Sequence, residues 1–304
     1  VYGEYCGRQN LWDDEGVETM ISLIGIGDAG CNVVSYFEEH KEYNCFLFSE
    51  GRGNTKYTRD LPRVDKAEDC EDKAPKLSSH KTLQAIQDRV QVFLCGSSFS
   101  ANYTLAILQQ IRDREIEIFY IKPDVDLLIG DVRLQERAIF GILQQYARSG
   151  LFKSFTILSN PAIEKTIGEI PIKKYFDMIN KNIYYAVHYL NVFDHTEPLV
   201  GNLTKPSEVQ KIRSVGLISV DKLSEQWYYN LEEDRDVAYY LCIAENRLET
   251  DGKLHSKVVQ SLKKKPRNAF KNVTYAIYQS PYETDFGFCV AHTNFIQNNS
   301  LHTE

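Results

Sequence analysis

The chain has no apolar run approaching the roughly 20 residues that a membrane-spanning helix needs. Its first residues, Val1-Tyr-Gly-Glu-Tyr-Cys6, lack the basic stretch and apolar core of a secretory signal. The seven histidines show no His-Glu-x-x-His spacing, and Ser97 and Ser98 sit in no Gly-x-Ser-x-Gly elbow. Zinc-protease and serine-hydrolase chemistry therefore find no support. The seven cysteines are odd in number and include no Cys-x-x-Cys pair. Several lie in apolar strand-like runs such as Val92-Phe-Leu-Cys95, which points to reduced, buried thiols in a cytosolic protein. The Asn-x-Ser/Thr sequons at Asn102, Asn202, Asn272 and Asn298 then carry no glycosylation weight. With 9 Pro and 17 Gly, little room is left for a long disordered region. Positive charge is not in excess either. The 35 Lys+Arg against 42 Asp+Glu give a net charge of -7, which argues against sequence-independent binding to a phosphate backbone.

What is present is ordinary for a packed globular protein: 43% hydrophobic residues, 25% charged and 12% aromatic, including 19 Tyr. A length of 304 residues suggests two domains or one large one. The first two-thirds alternate strand and helix patterns. Strands are expected over Met20–Gly25, Cys45–Phe48, Val90–Leu94, Ile116–Ile121 and Ser154–Leu158. Helices are expected over Cys31–His40, His80–Asp88, Tyr103–Arg114 and Val132–Tyr146. This rhythm predicts a parallel, doubly wound α/β sheet. A long helix follows over Ile172–Leu190. Beyond it, strands at Val237–Ala244, Asn272–Tyr278 and Gly287–His292, with a helix at Leu254–Leu262, predict a smaller α+β unit with its own sheet. The acidic run from Asp65 to Asp72 reads as a solvated loop, and the basic cluster Lys263-Lys-Lys-Pro-Arg267 with Lys271 as a solvated face or a contact for an acidic partner.

The strongest local motif is Gly25-Ile-Gly27-Asp-Ala-Gly30-Cys-Asn32, after a strand and at the mouth of a helix. Glycines there let the backbone approach a phosphate, and the helix N-terminus offers N–H groups and a positive dipole end. Alone it fits a dinucleotide fingerprint for NAD or FAD, with Glu50 near the place of the ribose-binding acid. A tight turn without ligand fits it equally well.

The rest of the chain, collinearly from Met20 to His292, resembles the tubulin/FtsZ superfamily. Leu23-Ile-Gly-Ile-Gly-Asp-Ala-Gly-Cys-Asn-Val-Val34 resembles the family's first phosphate loop, I-G-V-G-G-G-G-G-N-A-V, with Asn32 on the family's Asn. Val92-Phe-Leu-Cys-Gly96 is similar to the strand entering the signature loop, Lys122-Pro123 to the opening of the sugar-side loop, and Val132-Arg-Leu to Gly141-Ile to the helix after it. Thr156-Ile-Leu-Ser-Asn160 resembles the T-I-P-N loop near the base. The most specific match is Phe176-Asp-Met-Ile-Asn180 with Ala186-Val187 beyond. An i, i+4 pair shares one helical face, where the aromatic can stack on a purine and the Asn amide can meet a guanine edge.

Two departures stand out. The family's G-G-G-T-G-S/T-G loop is here Gly96-Ser-Ser-Phe-Ser-Ala-Asn-Tyr-Thr104. Ser97, Ser98 and Ser100 can offer hydroxyls, but Phe99 and Tyr103 are bulky where close backbone approach is needed, which implies weakened or altered phosphate contacts. The catalytic loop N-x-D-x-x-D/E becomes Asn202-Leu-Thr-Lys-Pro-Ser-Glu208-Val209, with one extra residue and no middle Asp. The resemblance thus implies a fold with a Rossmann-type parallel-sheet nucleotide domain (18–171), a central helix (172–193), an α+β C-terminal domain (194–295) and extensions at 1–17 and 296–304. It implies GTP or GDP, with Mg2+ accompanying it, on Gly25, Gly27, Asp28, Ala29, Asn32, Gly96, Ser97, Ser98, Ser100, Asn160, Phe176 and Asn180. It gives Asn202 and Glu208 catalytic roles across a subunit contact, with hydrolysis slow or absent. It further implies self-association into cytoplasmic filaments, with a protein cargo or adaptor as a further partner. The losses look most like divergent viral (bacteriophage) or plasmid relatives. A fold-only scaffold that binds no nucleotide stays open beside this, as does an NAD/FAD oxidoreductase resting on Gly25–Gly30 and Glu50.

Overall fold

A computed structural model describes residues 20–265 and 271–298. The architecture grows outward from β1 (Ile21–Ile26), whose six residues are all buried, as a strand covered on both faces must be. α1 (Gly27–Ser35), β2 (Tyr43–Ser49) and β3 (Thr58–Asp60) follow, then the single-turn helices α2 (Cys70–Lys73) and α3 (Thr82–Ala85). β4 (Arg89–Leu94), α4 (Thr104–Gln110), β5 (Glu115–Lys122), α5 (Gly130–Arg148), β6 (Ser154–Ser159) and α6 (Asn160–Ile167) complete the alternating part, and α7 (Tyr175–Phe193) is the long helix. The C-terminal part adds β7 (Val200–Asn202), β8 (Ile212–Ile218), β9 (Glu225–Trp227), β10 (Asp236–Ile243), α8 (Glu245–Thr250), α9 (Leu254–Lys263), β11 (Asn272–Gln279) and β12 (Phe286–Thr293).

The strands form one sheet in the order β3-β2-β1-β4-β5-β6-β8-β12-β10-β11-β7, with β9 on β8. The C-terminal strands therefore do not make a separate sheet, contrary to the sequence expectation. β8 pairs parallel to β6 through Phe155–Ile212 to Ile157–Ser214, covering an edge whose backbone groups would otherwise be unpaired. Strand side chains alternate between faces. Phe93 and Phe119 join α1 and α7 in one core, while Val92, Leu94, Ile118 and Tyr120 join α4 and α5 in another. α7 extends the first core across both halves: Ile183 and Val187 are buried in the core that also holds Phe37 and Phe93, and Tyr189 and Phe193 lie against Phe286, Phe288 and Tyr278. α9 covers the opposite face of β10–β12 with Leu254, Val258 and Leu262.

Beneath the sheet's other end, Glu117 is buried among Arg89 (3.2 Å), Gln91 Nε2 (2.8 Å) and Arg213 (4.0 Å), and Arg89 also reaches Asp194 (2.8 Å) after α7. The surrounding cations hold its carboxyl down at about 2 against the opposing effect of burial.

Two other expectations need correction. The helix at His80–Asp88 is instead a 3-10 turn (Ser79–Lys81) and the one turn of α3, because His80 and Lys81 have φ of 54° and 60°. Arg59, fully buried, donates to the Ser79 carbonyl (2.6 Å) and to the Thr82 hydroxyl, holding that kinked segment against the sheet. The basic cluster is partly used internally: Lys265 pairs with Glu225 (2.8 Å) and Lys271 with Asp234 (2.6 Å), while Pro266 and Arg267 lie outside the described residues. So do Cys6 and the expected extension at 1–17; the six described cysteines are free thiols. In the extension expected at 296–304, Gln297 is buried and exchanges hydrogen bonds with Gln144 of α5. No helix among the described residues is long and apolar enough to cross a membrane.

Candidate functional site

β2 and β3 lie on one side of β1, and β4 to β6 lie on the other. Strand order thus reverses between β1 and β4, and a crevice opens at their C-terminal ends, the place where open α/β sheets bind ligands. Register pairs Ile26 with Leu94, so the turn at Gly27 and the loop after β4 must face each other. Gly27, with φ of 72°, makes the sharp exit from β1, and a Cβ there would stand 2.7 Å from the Ser98 hydroxyl and 3.3 Å from the Ser100 Cβ. Gly30 sets how closely α1 lies on the sheet: a Cβ there would be 2.1 Å from the Phe93 carbonyl oxygen. Two loops seventy residues apart are brought together by these absent side chains.

No side chain caps the N-terminus of α1, so its first-turn N–H groups face the crevice mouth with the positive end of the helix dipole. Asp28, exposed, accepts from the Ser49 hydroxyl (2.6 Å), Ala29 is half-buried and Asn32 is exposed. Across the crevice, Gln135 of α5 donates from Nε2 to the carbonyls of Gly96 and Ser98, both at 2.8 Å. Asn102 holds that Gln135 by donating to its Oε1 (2.9 Å). Tying these carbonyls toward α5 removes acceptors that would repel an anion on the other side. Ser97 lies 3.2 Å from the Cys95 thiol, and Ser100 is buried. Phe99 and Tyr103 do not fill the space beside Gly27. Tyr103 is fully buried, with its hydroxyl on the Pro62 carbonyl, and Phe99 packs edge-on against it.

A second wall is built by α6 and α7. Asn160 opens α6 behind Ser159, whose hydroxyl accepts from the Ala162 N–H. The Asn160 Oδ1 is buried with no hydrogen-bond partner, which ordinarily costs about 1–3 kcal/mol unless a ligand satisfies it. Phe176 is 66% exposed on the first turns of α7, edge-on to Tyr175. Asn180 is only 7% exposed, and its amide makes no side-chain hydrogen bond among the described residues. The Tyr175 hydroxyl donates to Glu164 of α6 (2.8 Å), and the hydroxyl of Tyr36, the residue after α1, donates to Asp177, which also holds Lys181 (3.0 Å). Tyr36–Asp177, His40–Tyr184 and Tyr43–His188 step along both segments in the same direction. Asn32, one turn before Tyr36, is thereby set toward the N-terminal end of α7. Nothing in local sequence pattern marks Gln135, Asn102 or Tyr36 for these contacts; Asp177–Lys181 carries a faint signal in its i, i+4 spacing.

Lys122 is not at the rim: it is buried, 3.1 Å from Glu136, with its ammonium over the Phe140 ring. Asn202 and Glu208 are not brought to the crevice. Asn202 ends β7, the far edge of the sheet, and Glu208 stands exposed in the segment before β8. α7 has 19 residues, hence a length of about 28 Å, with Phe176 at its start and this segment after its end. The two sets of residues lie at opposite ends of the central helix. Among the described residues, no group of three or more His, Cys, Asp or Glu could hold a metal ion on protein ligands alone.

No family model matches the chain, and no curated protein matches its sequence. Solved structures do. It is similar to an empty FtsZ dimer from M. jannaschii at 13% identity and a TM-score of 0.62, covering 91% of this chain and 89% of that one. It is similar to the GTPγS-form TubZ protofilament of Bacillus thuringiensis serovar israelensis at 11% identity and a TM-score of 0.61, covering 91% and 87%. CetZ2 from Haloferax volcanii, as a GTPγS-bound protofilament, gives 13% and 0.59, covering 90% and 92%. The chain has the tubulin/FtsZ fold.

Proposed function

We propose that the protein is a divergent member of the tubulin/FtsZ superfamily that binds guanine nucleotide in the β1/β4 crevice, assembles head to tail, and hydrolyses GTP slowly. The observation that carries this reading is the crevice itself: Gly27 against Ser98, carbonyls tied back by Gln135, and the unsatisfied Asn160 oxygen on the base-side wall. The N–H groups at the start of α1 and the hydroxyls of Ser97, Ser98 and Ser100 would hold phosphates. Phe176 would stack on the base while Asn160 and Asn180 bond its edge; an Asn both donates and accepts, as a guanine edge requires. Mg2+ would be carried chiefly by the phosphates, and Asp28, exposed at the start of α1, is the acid that could assist them.

The opposed positions of crevice and Glu208 segment suit a heterologous contact. Stacking one subunit on the next lays the 203–211 segment over the neighbour's crevice, and repetition without closure gives an open filament. Glu208 would then orient the attacking water. Without a second acid, and with Lys205 and Pro206 in the segment, turnover should be low.

Sedimentation over a concentration series with GTP, GDP or no nucleotide tests this. Pelleting above a threshold with GTP is the expected result. Pelleting that ignores nucleotide would favour the scaffold reading, and no pelleting in any condition would remove the filament.

A further inference from the structure

The outer face of α5 and the acidic run from Asp65 to Asp72 take no part in the crevice chemistry. Leu134, Ala138, Ile142 and Tyr146 follow one another at four-residue steps and are all exposed, Leu134 by 65%, so an apolar row winds along the outside of α5. Beside it, Leu105 of α4 and Ala67 of the acidic run help to line a groove of about 450 Å³ that takes in α5 from Asp131 to Leu143. Single apolar residues on a surface need no partner, but a row that opens into an apolar groove marks a contact surface.

Charge is sorted across this face. On the groove side stand Asp65, Glu68, Asp69, Glu71 and Asp72, against the single Lys66. All five acids are exposed, and none forms an ion pair among the described residues. Arg133, Arg137 and Arg148 are exposed and equally unpaired among the described residues. Their steps of four and eleven residues keep them on one flank of α5, and none of them lines the groove. Acid, apolar row and arginine thus run side by side.

We propose that a second copy of the chain seats here, in a two-fold dimer whose axis runs along α5. Such an axis lays row on row, keeps each residue at the level of its counterpart, and exchanges left for right. The arginines of each copy then fall on the acids of the other. An axis across the helix would set acid on acid, and complementary charge fixes the register against that alternative. Arg133 and Arg137 lie at the level of the groove, where an arginine stem can rest on apolar side chains while its guanidinium reaches Glu68 or Asp69. The contact is isologous and closes at two, unlike a head-to-tail contact. It goes beyond the nucleotide reading and does not depend on it.

Sedimentation velocity of the full chain without nucleotide, over a micromolar concentration series, tests this. Wild type should pass from monomer to dimer and stop there. Leu134→Glu, which sets two carboxylates against each other in the row, should weaken the dimer at least about tenfold. So should each of two double variants, Arg133→Glu with Arg137→Glu, and Glu68→Lys with Asp69→Lys. Mixed in equal amounts, these two should dimerise about as tightly as wild type, because both contacts of the mixed pair again join opposite charges. The substituted side chains are exposed, so each variant should fold. A chain that stays monomeric, an oligomer that grows past two, or variants that dimerise like wild type would overturn the proposal. A mixture no tighter than its parts would overturn the pairing of acid with arginine. Each of these outcomes leaves the crevice reading standing.

Discussion

The crevice and the Glu208 segment are made in opposite ways. At the crevice, a strand, a helix and a loop are locked by contacts that leave no slack: Gly30 under the Phe93 carbonyl, Gly27 against Ser98, and Gln135 on two carbonyls. The Glu208 segment is held by little. β7 has three exposed residues paired only to β11, and Glu208 stands in the loop beyond it. A site that must be preorganised for an anion needs rigid walls, whereas a segment that completes its contacts on another subunit can stay open until it meets one.

Substitutions should separate the two regions sharply. Gly30→Val forces two methyl groups and a Cβ into the β4 backbone, and the chain should lose more than about 4 kcal/mol or fail to fold, measured by urea denaturation. A stable variant would mean that α1 does not lie on β4 as described.

Acid should act next, through groups packed beneath the crevice. His188 is buried between Tyr43, at 3.1 Å, and the stacked His40 ring, and burial with the neighbouring imidazole lowers it to about 3. A histidine whose folded value is depressed binds its proton first in the unfolded chain. Its share of the stability is therefore whole above about 6.5 and falls as pH drops toward 3, with a slope of up to about 1.4 kcal/mol per unit; His292, lowered to about 3 chiefly by burial, adds a second such slope in the same window. Glu117, depressed to about 2, adds its own loss only below about 4.5, so the fall should steepen there. Glu117→Gln should remove the second window and keep the first, followed by denaturation midpoints against pH.

At the other region, Glu208→Ala should change stability by less than about 0.5 kcal/mol and leave nucleotide affinity alone, while abolishing phosphate release. Unchanged turnover would remove Glu208 from the chemistry. Phe176→Ala should be equally silent in stability and should weaken nucleotide binding, since the ring is exposed and serves no core.

Much of the crevice was legible because its determinants are local. An apolar run, three glycines and a helix start fall within a dozen residues, and the resemblance supplied the facing loop. The pairing of Phe176 with Asn180 also showed in spacing, though spacing alone could not say that the first is exposed and the second buried. What the sequence hid was tertiary. β8 reads poorly as a strand because Arg213 and Ser214 interrupt it, yet Arg213 bonds the Thr156 hydroxyl and Ser214 the Tyr229 carbonyl (2.6 Å). For the same reason the join of β8 to β6, and hence the single sheet, was invisible. The His80–Asp88 helix failed on a buried arginine from another strand. Phe99 and Tyr103 were read as obstacles because their side-chain directions are set by Pro62 and Arg63, which no local pattern reports.

In the proposed filament the crevice of one subunit is completed by the far end of the next. Imaging the GTP pellet at side-chain resolution tests it most directly. The expected result is a longitudinal contact in which the 203–211 segment, with Glu208 foremost, lies over the neighbour's Gly27 and Ser98 with nucleotide between them. A polymer joined only side by side, or a longitudinal contact that leaves that segment in solvent, would contradict it.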